Sequence, residues 1–204
     1  MKSKSARIKL LIITLSLCAV PIIVYFVRTL FFVPAEDVPK SGEARYFPVD
    51  TSEDIFQNPI YRTLDRSVAF SSDGIEQSFD IDTDIDSAVP ECRFFLEYFR
   101  TLIYGEYEKI TDFYVKDFFE TPPHFTAQMI HDIRVSHHSN QEMVLDGKTQ
   151  TVLNFYVQYR IYRNNGTFRQ GVFNDSAVPQ IYQLILDENQ NLRIVRILDI
   201  EIKN

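Results

Sequence analysis

Cysteine is almost missing from this chain: among 204 residues there are two, Cys18 and Cys92. Cys18 sits inside an N-terminal apolar run, so Cys92 stands alone in the remainder and no intrachain disulfide can form there. Stability has to come from a hydrophobic core, and the 114 residues from 91 to 204 match the common size of one domain. Pairing of Cys92 between chains is the alternative, but a buried thiol is the simpler state. Positive charge is also scarce beyond position 33. Residues 34–90 carry 4 basic and 13 acidic side chains, and residues 91–204 carry 12 and 15. Such a surface repels phosphate backbones and anionic headgroups, which excludes nucleic acid as a partner.

Metal-binding patterns are missing too. His137 and His138 are adjacent, and Cys92 is not at ligand spacing from them, which argues against zinc. Residues 80–91 copy the oxygen spacing of a calcium loop through Asp80, Asp82, Asp84, Asp86 and Glu91. The glycine that the sharp turn needs is Ile85, however, and Pro90 intrudes. A solvated acidic segment is the simpler reading, and no cofactor is expected. Asn165-Gly166-Thr167 and Asn174-Asp175-Ser176 match the glycosylation pattern, although turn chemistry explains the first.

What is present begins at the N-terminus. Residues 10–27 are uncharged, and apolar character resumes after Arg28 through residue 33. A helix of roughly 17–25 apolar residues crosses a bilayer, so residues 10–33 are expected to form a single transmembrane signal anchor, kinked at most by Pro21. The exit at Tyr25-Phe26-Val27 is too bulky for signal-peptide cleavage, and Leu17 before Cys18 departs from the lipoprotein pattern. Lys2, Lys4, Arg7 and Lys9 set the orientation, with residues 1–9 cytoplasmic and the rest outside the cytoplasm. Nine residues leave no room for a cytoplasmic output domain, so a sensor is not expected.

The proline-bearing, acidic residues 34–54 read as a linker. Residues 55–90 read as an acidic arm or as a hairpin, residues 67–71 and 75–81 turning at Ser72-Asp73-Gly74. From Glu91 the period becomes helical: Phe95, Tyr98, Phe99, Leu102 and Ile103 form one stripe, ended by Gly105. A second helix is expected over residues 106–119 from Tyr107, Ile110, Tyr114 and Phe118. A third follows Thr121-Pro122-Pro123, from Phe125, Met129, Ile130 and Ile133. Strands are expected over residues 152–162, then 167–173 after an Asn165-Gly166 turn, then 180–186 and 192–202, with a bulge around residues 196–198. The fold class is therefore α+β: about three helices on a curved antiparallel sheet of about four strands, over residues 91–204.

Helices first, a Gly105-Glu106-Tyr107 break within residues 94–109, then a meander of strands from residue 151 onward: this order resembles the cystatin-like cone of the nuclear transport factor 2-like superfamily. The resemblance covers the C-terminal half alone. It implies one of two roles. Members with an N-terminal span act as scaffolds in envelope assembly machines, whereas others are isomerases or dehydratases with titratable groups inside the cone.

Catalysis needs such groups in an apolar cavity. The inward stripe of residues 153–161 offers Tyr159 alone, so an interaction protein is favoured over an enzyme. The expected function is a membrane-anchored extracytoplasmic protein-interaction or assembly module of the cell envelope. It would engage an envelope protein or a second copy through Tyr156, Arg160 and Tyr162, aromatic and Arg side chains suited to contact. The alternative is a small-molecule-binding or catalytic cone lined by Tyr98, Tyr114, Asp132 and Tyr159, with His124 and His131 near its mouth.

Overall fold

The helical stripe that begins near Glu91 forms α1 (Pro90–Tyr104), the one α-helix in the computed structural model among the residues it describes, 54–83, 88–145 and 147–200. Pro90 occupies the first turn, where its missing N–H costs nothing. All five stripe residues are buried. Gly105 ends the helix with φ +70°, and the Glu106 N–H closes back on the Thr101 carbonyl at 3.0 Å. A Cβ at Gly105 would lie 2.5 Å from the Ala127 backbone nitrogen, so close approach and a left-handed φ both require glycine there.

Six strands make one sheet: β1 (Val68–Ser72), β2 (Ile75–Phe79), β3 (Ile130–Leu145), β4 (Lys148–Ile161), β5 (Ala177–Leu186) and β6 (Leu192–Asp199). Their spatial order is β2-β1-β3-β4-β5-β6. Every neighbouring pair is antiparallel except β1 and β3, which run parallel. The hairpin β1–β2 turns at Asp73 and Gly74, both at positive φ as the favoured two-residue turn demands. In β6, Gln183 pairs with Arg196 and Leu184 with Ile194, so Val195 is the extra residue of a bulge.

The expected architecture is corrected in several places. The sheet has six strands and is mixed, where about four antiparallel strands were expected, and there is one α-helix among the described residues where three were expected. Residues expected as the second helix form a 3-10 helix, Tyr107–Phe113. Its apolar spacing of three suits either helix. What decides is β6: Tyr114 bridges to Ile194, and the Val115 N–H donates to the Ile194 carbonyl at 3.1 Å, pulling the chain straight. The third helix is absent as well. Residues 121–129 have no regular element and β3 starts at Ile130. Phe125, Met129, Ile130 and Ile133 are all buried, but in a loop and a strand.

No strand forms over residues 167–173. Asn164 is fully buried, and its amide donates to the Arg169 and Val172 carbonyls at 2.8 Å each, so side-chain bonds curl this loop on itself. The expected transmembrane helix has no counterpart among the described residues. Among the described residues no helix is long and apolar enough to cross a membrane, and residues 10–33, on which that reading fell, lie outside them, as do Lys2, Lys4, Arg7 and Lys9.

The core lies between α1 and one face of the sheet. Strand alternation aims Phe155, Val157, Tyr159 and Ile161 of β4, with Val178, Tyr182 and Leu184 of β5, at the helix. Cys92 is buried in this core, and burial pushes its thiol up to about 11.

Candidate functional site

Three of the four residues expected to line a pocket meet inside the fold. Tyr98 projects from the inner stripe of α1, Tyr159 from the inward face of β4, and Tyr114 from the segment that bridges to β6. The Tyr98 hydroxyl lies 2.9 Å from that of Tyr114 and 3.5 Å from that of Tyr182. Tyr182 was missing from the expected set. It occupies the inward face of β5, directly across the ladder from Phe155.

A polar chain runs outward from Tyr182. Asp199 can only accept, so the Gln180 Nε2 donates to it at 2.7 Å and leaves the Gln180 Oε1 to accept from the Tyr182 hydroxyl at 3.3 Å. The Arg169 guanidinium donates to the same Asp199 oxygen at 2.8 Å and holds that carboxyl below the usual range. Burial raises the phenols of Tyr98, Tyr159 and Tyr182 far above the ordinary tyrosine value, and pushes Tyr114 up to about 12. All four are neutral near pH 7. They are donors and acceptors, with neither the charge nor the access of a general base.

This cluster is sealed. Tyr98 and Tyr159 have 0% of their surface exposed; Phe99 packs edge-on against both, Phe113 edge-on against Tyr98, and the Phe94 ring lies parallel to that of Tyr98. The Tyr159 hydroxyl has no hydrogen-bond partner. It is the one hydroxyl of the four left without a partner.

Asp132 lies elsewhere. Its carboxylate accepts from Arg134 at 3.0 Å and from Arg160 at 3.3 Å, at the β3 bulge where Asp132 has φ +49°. His131 is bonded to Asp175 at 2.9 Å, and the His124 ring packs 4.0 Å from that of Tyr107. Neither histidine joins the tyrosines. Among the described residues no group of His, Cys, Asp or Glu is arranged to hold a metal. In the acidic stretch, Asp82 accepts from the Tyr104 hydroxyl at 2.6 Å. Of the two glycosylation patterns, Asn165 uses its side chain on Thr126, Gln128 and Thr167 inside the loop.

The expected contact residues divide. Tyr156 and Arg160 share the outward face of β4, where Tyr156 stands between Ser136 of β3 and Ile181 of β5, and Ile181 is opposite the exposed Leu198 of β6. Tyr162, just past the strand, packs against the core. Arg160 is engaged by Asp132 and by the Asp175 carbonyl.

The larger opening is on the flank of α1, and sequence reasoning did not anticipate it. A groove of about 890 Å³ lies between Arg93, Phe94 and Glu97 of α1, Phe113 of the 3-10 helix, and Leu186 and Leu192 around the β5–β6 turn. A second hollow of about 460 Å³ lies among Phe70, Ile75, Val89, His137 and Phe155. Glu91 and Leu153 border both. Residues 90, 93, 94, 97 and 101 repeat at helical spacing, and that stripe was the available signal. No family model, no curated protein and no solved structure matches this chain.

Proposed function

We propose that this chain is a protein-interaction module, held at a membrane by the apolar residues 10–33 with residues 54–200 outside the cytoplasm. One contrast carries the reading. The phenols that catalysis would use are buried, with Tyr98 bonded to Tyr114 and Tyr182, whereas the apolar surface that a partner would use borders an open groove of about 890 Å³. The basic residues ahead of the apolar run and the acidic character of everything after residue 33 support the orientation. Purification of the full chain from native membranes under gentle solubilisation tests it. The expected result is a stable assembly with another envelope protein or with itself; a lone monomer overturns the proposal.

One observation favours a second reading, a small-molecule-binding cone. The Tyr159 hydroxyl is buried without a partner beside three other phenols, and a ligand oxygen there would satisfy it. Native mass spectrometry of the full chain decides: a bound small molecule that is lost on Tyr159→Phe supports this reading, and bare protein removes it.

A further inference from the structure

We infer that the two hollows meeting at Glu91 and Leu153 form one docking track for a partner segment that is apolar and positively charged. The inference rests on the interaction reading above and names the chemistry of the partner.

The apolar half of the argument is the floor. Phe94 and Leu192 are buried at its base, Phe113 and Leu153 are partly covered, and Leu186 stands on the bank with 49% of its surface exposed. The second hollow continues this surface through Val89 and Ile75, which are 48% and 65% exposed. Covering such side chains is the main favourable contribution to association, worth about 25 cal/mol per Å² before ordering costs.

The electrostatic half comes from which charges are already committed. Arg100 donates to the Ile81 and Thr83 carbonyls at 2.8 Å each, Lys109 pairs with Glu106 at 2.9 Å, and Arg193 pairs with Asp187 at 2.8 Å. Arg93 donates to the Ala88 carbonyl. Lys109 and Arg193 are thus neutralised within the fold, while Arg93 and Arg100 hold carbonyls and keep their charge, which leaves two cations in the track against Glu91, Glu97 and Asp112 of the groove and Asp73 of the second hollow. Glu91, Glu97 and Asp112 line the same groove, and among the described residues none of their carboxylates holds a hydrogen bond or an ion pair. A partner that covers the floor takes these carboxylates out of water. An uncharged or acidic partner leaves them unpaired, whereas Lys or Arg on the partner pairs with them and speeds encounter.

The experiment uses the full chain in phosphatidylcholine nanodiscs and three fluorescein-labelled peptides of equal length. One alternates Leu and Phe with Lys, one replaces Lys by Glu, and one replaces Leu and Phe by Ser. Fluorescence anisotropy, corrected with empty nanodiscs, should show the Lys–Leu–Phe peptide binding at least roughly tenfold more tightly than either control, with an affinity that falls as salt rises. The double variant Glu97→Lys/Asp112→Lys should weaken it by a further factor of roughly ten, and Glu97→Gln/Asp112→Asn by less, with both variants melting at the wild-type temperature. Equal binding of the three peptides, or undiminished binding by the double variant, overturns the inference. A native partner that co-purifies and is unaffected by the double variant removes the track and keeps the interaction reading. A chain that co-purifies with nothing and binds no peptide removes both.

Discussion

The two flanks of α1 treat polar groups in opposite ways. On the inner flank Tyr98 is out of water, and its hydroxyl is matched by those of Tyr114 and Tyr182. On the outer flank Glu97 faces a groove and is matched by nothing in the fold. The inner flank is complete without a partner molecule. The outer one is arranged as a surface that something else completes, and the difference is visible between two consecutive residues of the helix.

Substitutions that break the inner flank should have the largest effects. Gly105→Ala combines a left-handed φ with a Cβ placed 2.5 Å from backbone, so it should cost more than about 2 kcal/mol by denaturant titration. Phe99→Ala empties a fully buried site and should cost about 3–5 kcal/mol. Tyr98→Phe keeps the packing but strips the hydroxyl from between Tyr114 and Tyr182, for a loss of about 1–3 kcal/mol. Should it cost nothing, the hydroxyl array is not what completes the inner flank.

The pH dependence follows from the raised phenols. Their folded-state values lie above the ordinary value near 10, so their contribution is present in full below about pH 10 and is lost as pH climbs toward the folded values. Stability of the wild type should therefore decline steeply above about pH 10, less so in Tyr98→Phe, as read by thermal melts. Asp199 works with the reverse sign. Its lowered carboxyl gives stability above about pH 4 that disappears as pH falls through the folded value, so wild type and Asp199→Asn should converge in acid.

The smallest effects sharpen the comparison best. Tyr159→Phe removes a hydroxyl that has no partner, and its melting temperature should stay level or rise. Glu97→Gln on the outer flank should change stability by less than about 0.5 kcal/mol while altering peptide binding.

The inner stripe of α1 was legible because five apolar residues at helical spacing admit one arrangement, and Gly105 marks its end. Strands β4, β5 and β6 were legible from alternation and from the 187–191 turn. The first half of β3 was misread as helix because Met129, Ile130 and Ile133 fit a helical period, whereas the strand buries both Ile130 and Ile133 only through the register shift between His131 and Arg134. The Asp146-Gly147 pair between Leu145 and Lys148 is a hairpin signal that would have corrected it. Tyr98, Tyr114 and Tyr159 were picked as chemistry-bearing residues, but their closure against Tyr182 depends on the register of β5 on β4, which no local pattern carries. Asp132 was misplaced together with its helix. The groove escaped notice because it joins α1 to the β5–β6 turn, elements far apart in sequence.

The parallel seam between β1 and β3 has a consequence for how the molecule assembles. β1–β2 and β3–β4 are each hairpins that close locally, but Val68 meets Ile133 across a sequence stretch, residues 69–132, that includes all of α1. Loop closure of that length is slow, and parallel pairing contributes slightly less per residue than antiparallel pairing. The β1–β2 hairpin is thus expected to join the sheet last and leave it first, and its amides should exchange with solvent ahead of those in β4 and β5. Exchange in that order would make one border of the second hollow, at Phe70 and Ile75, the part of the track that gives way most easily to an arriving chain.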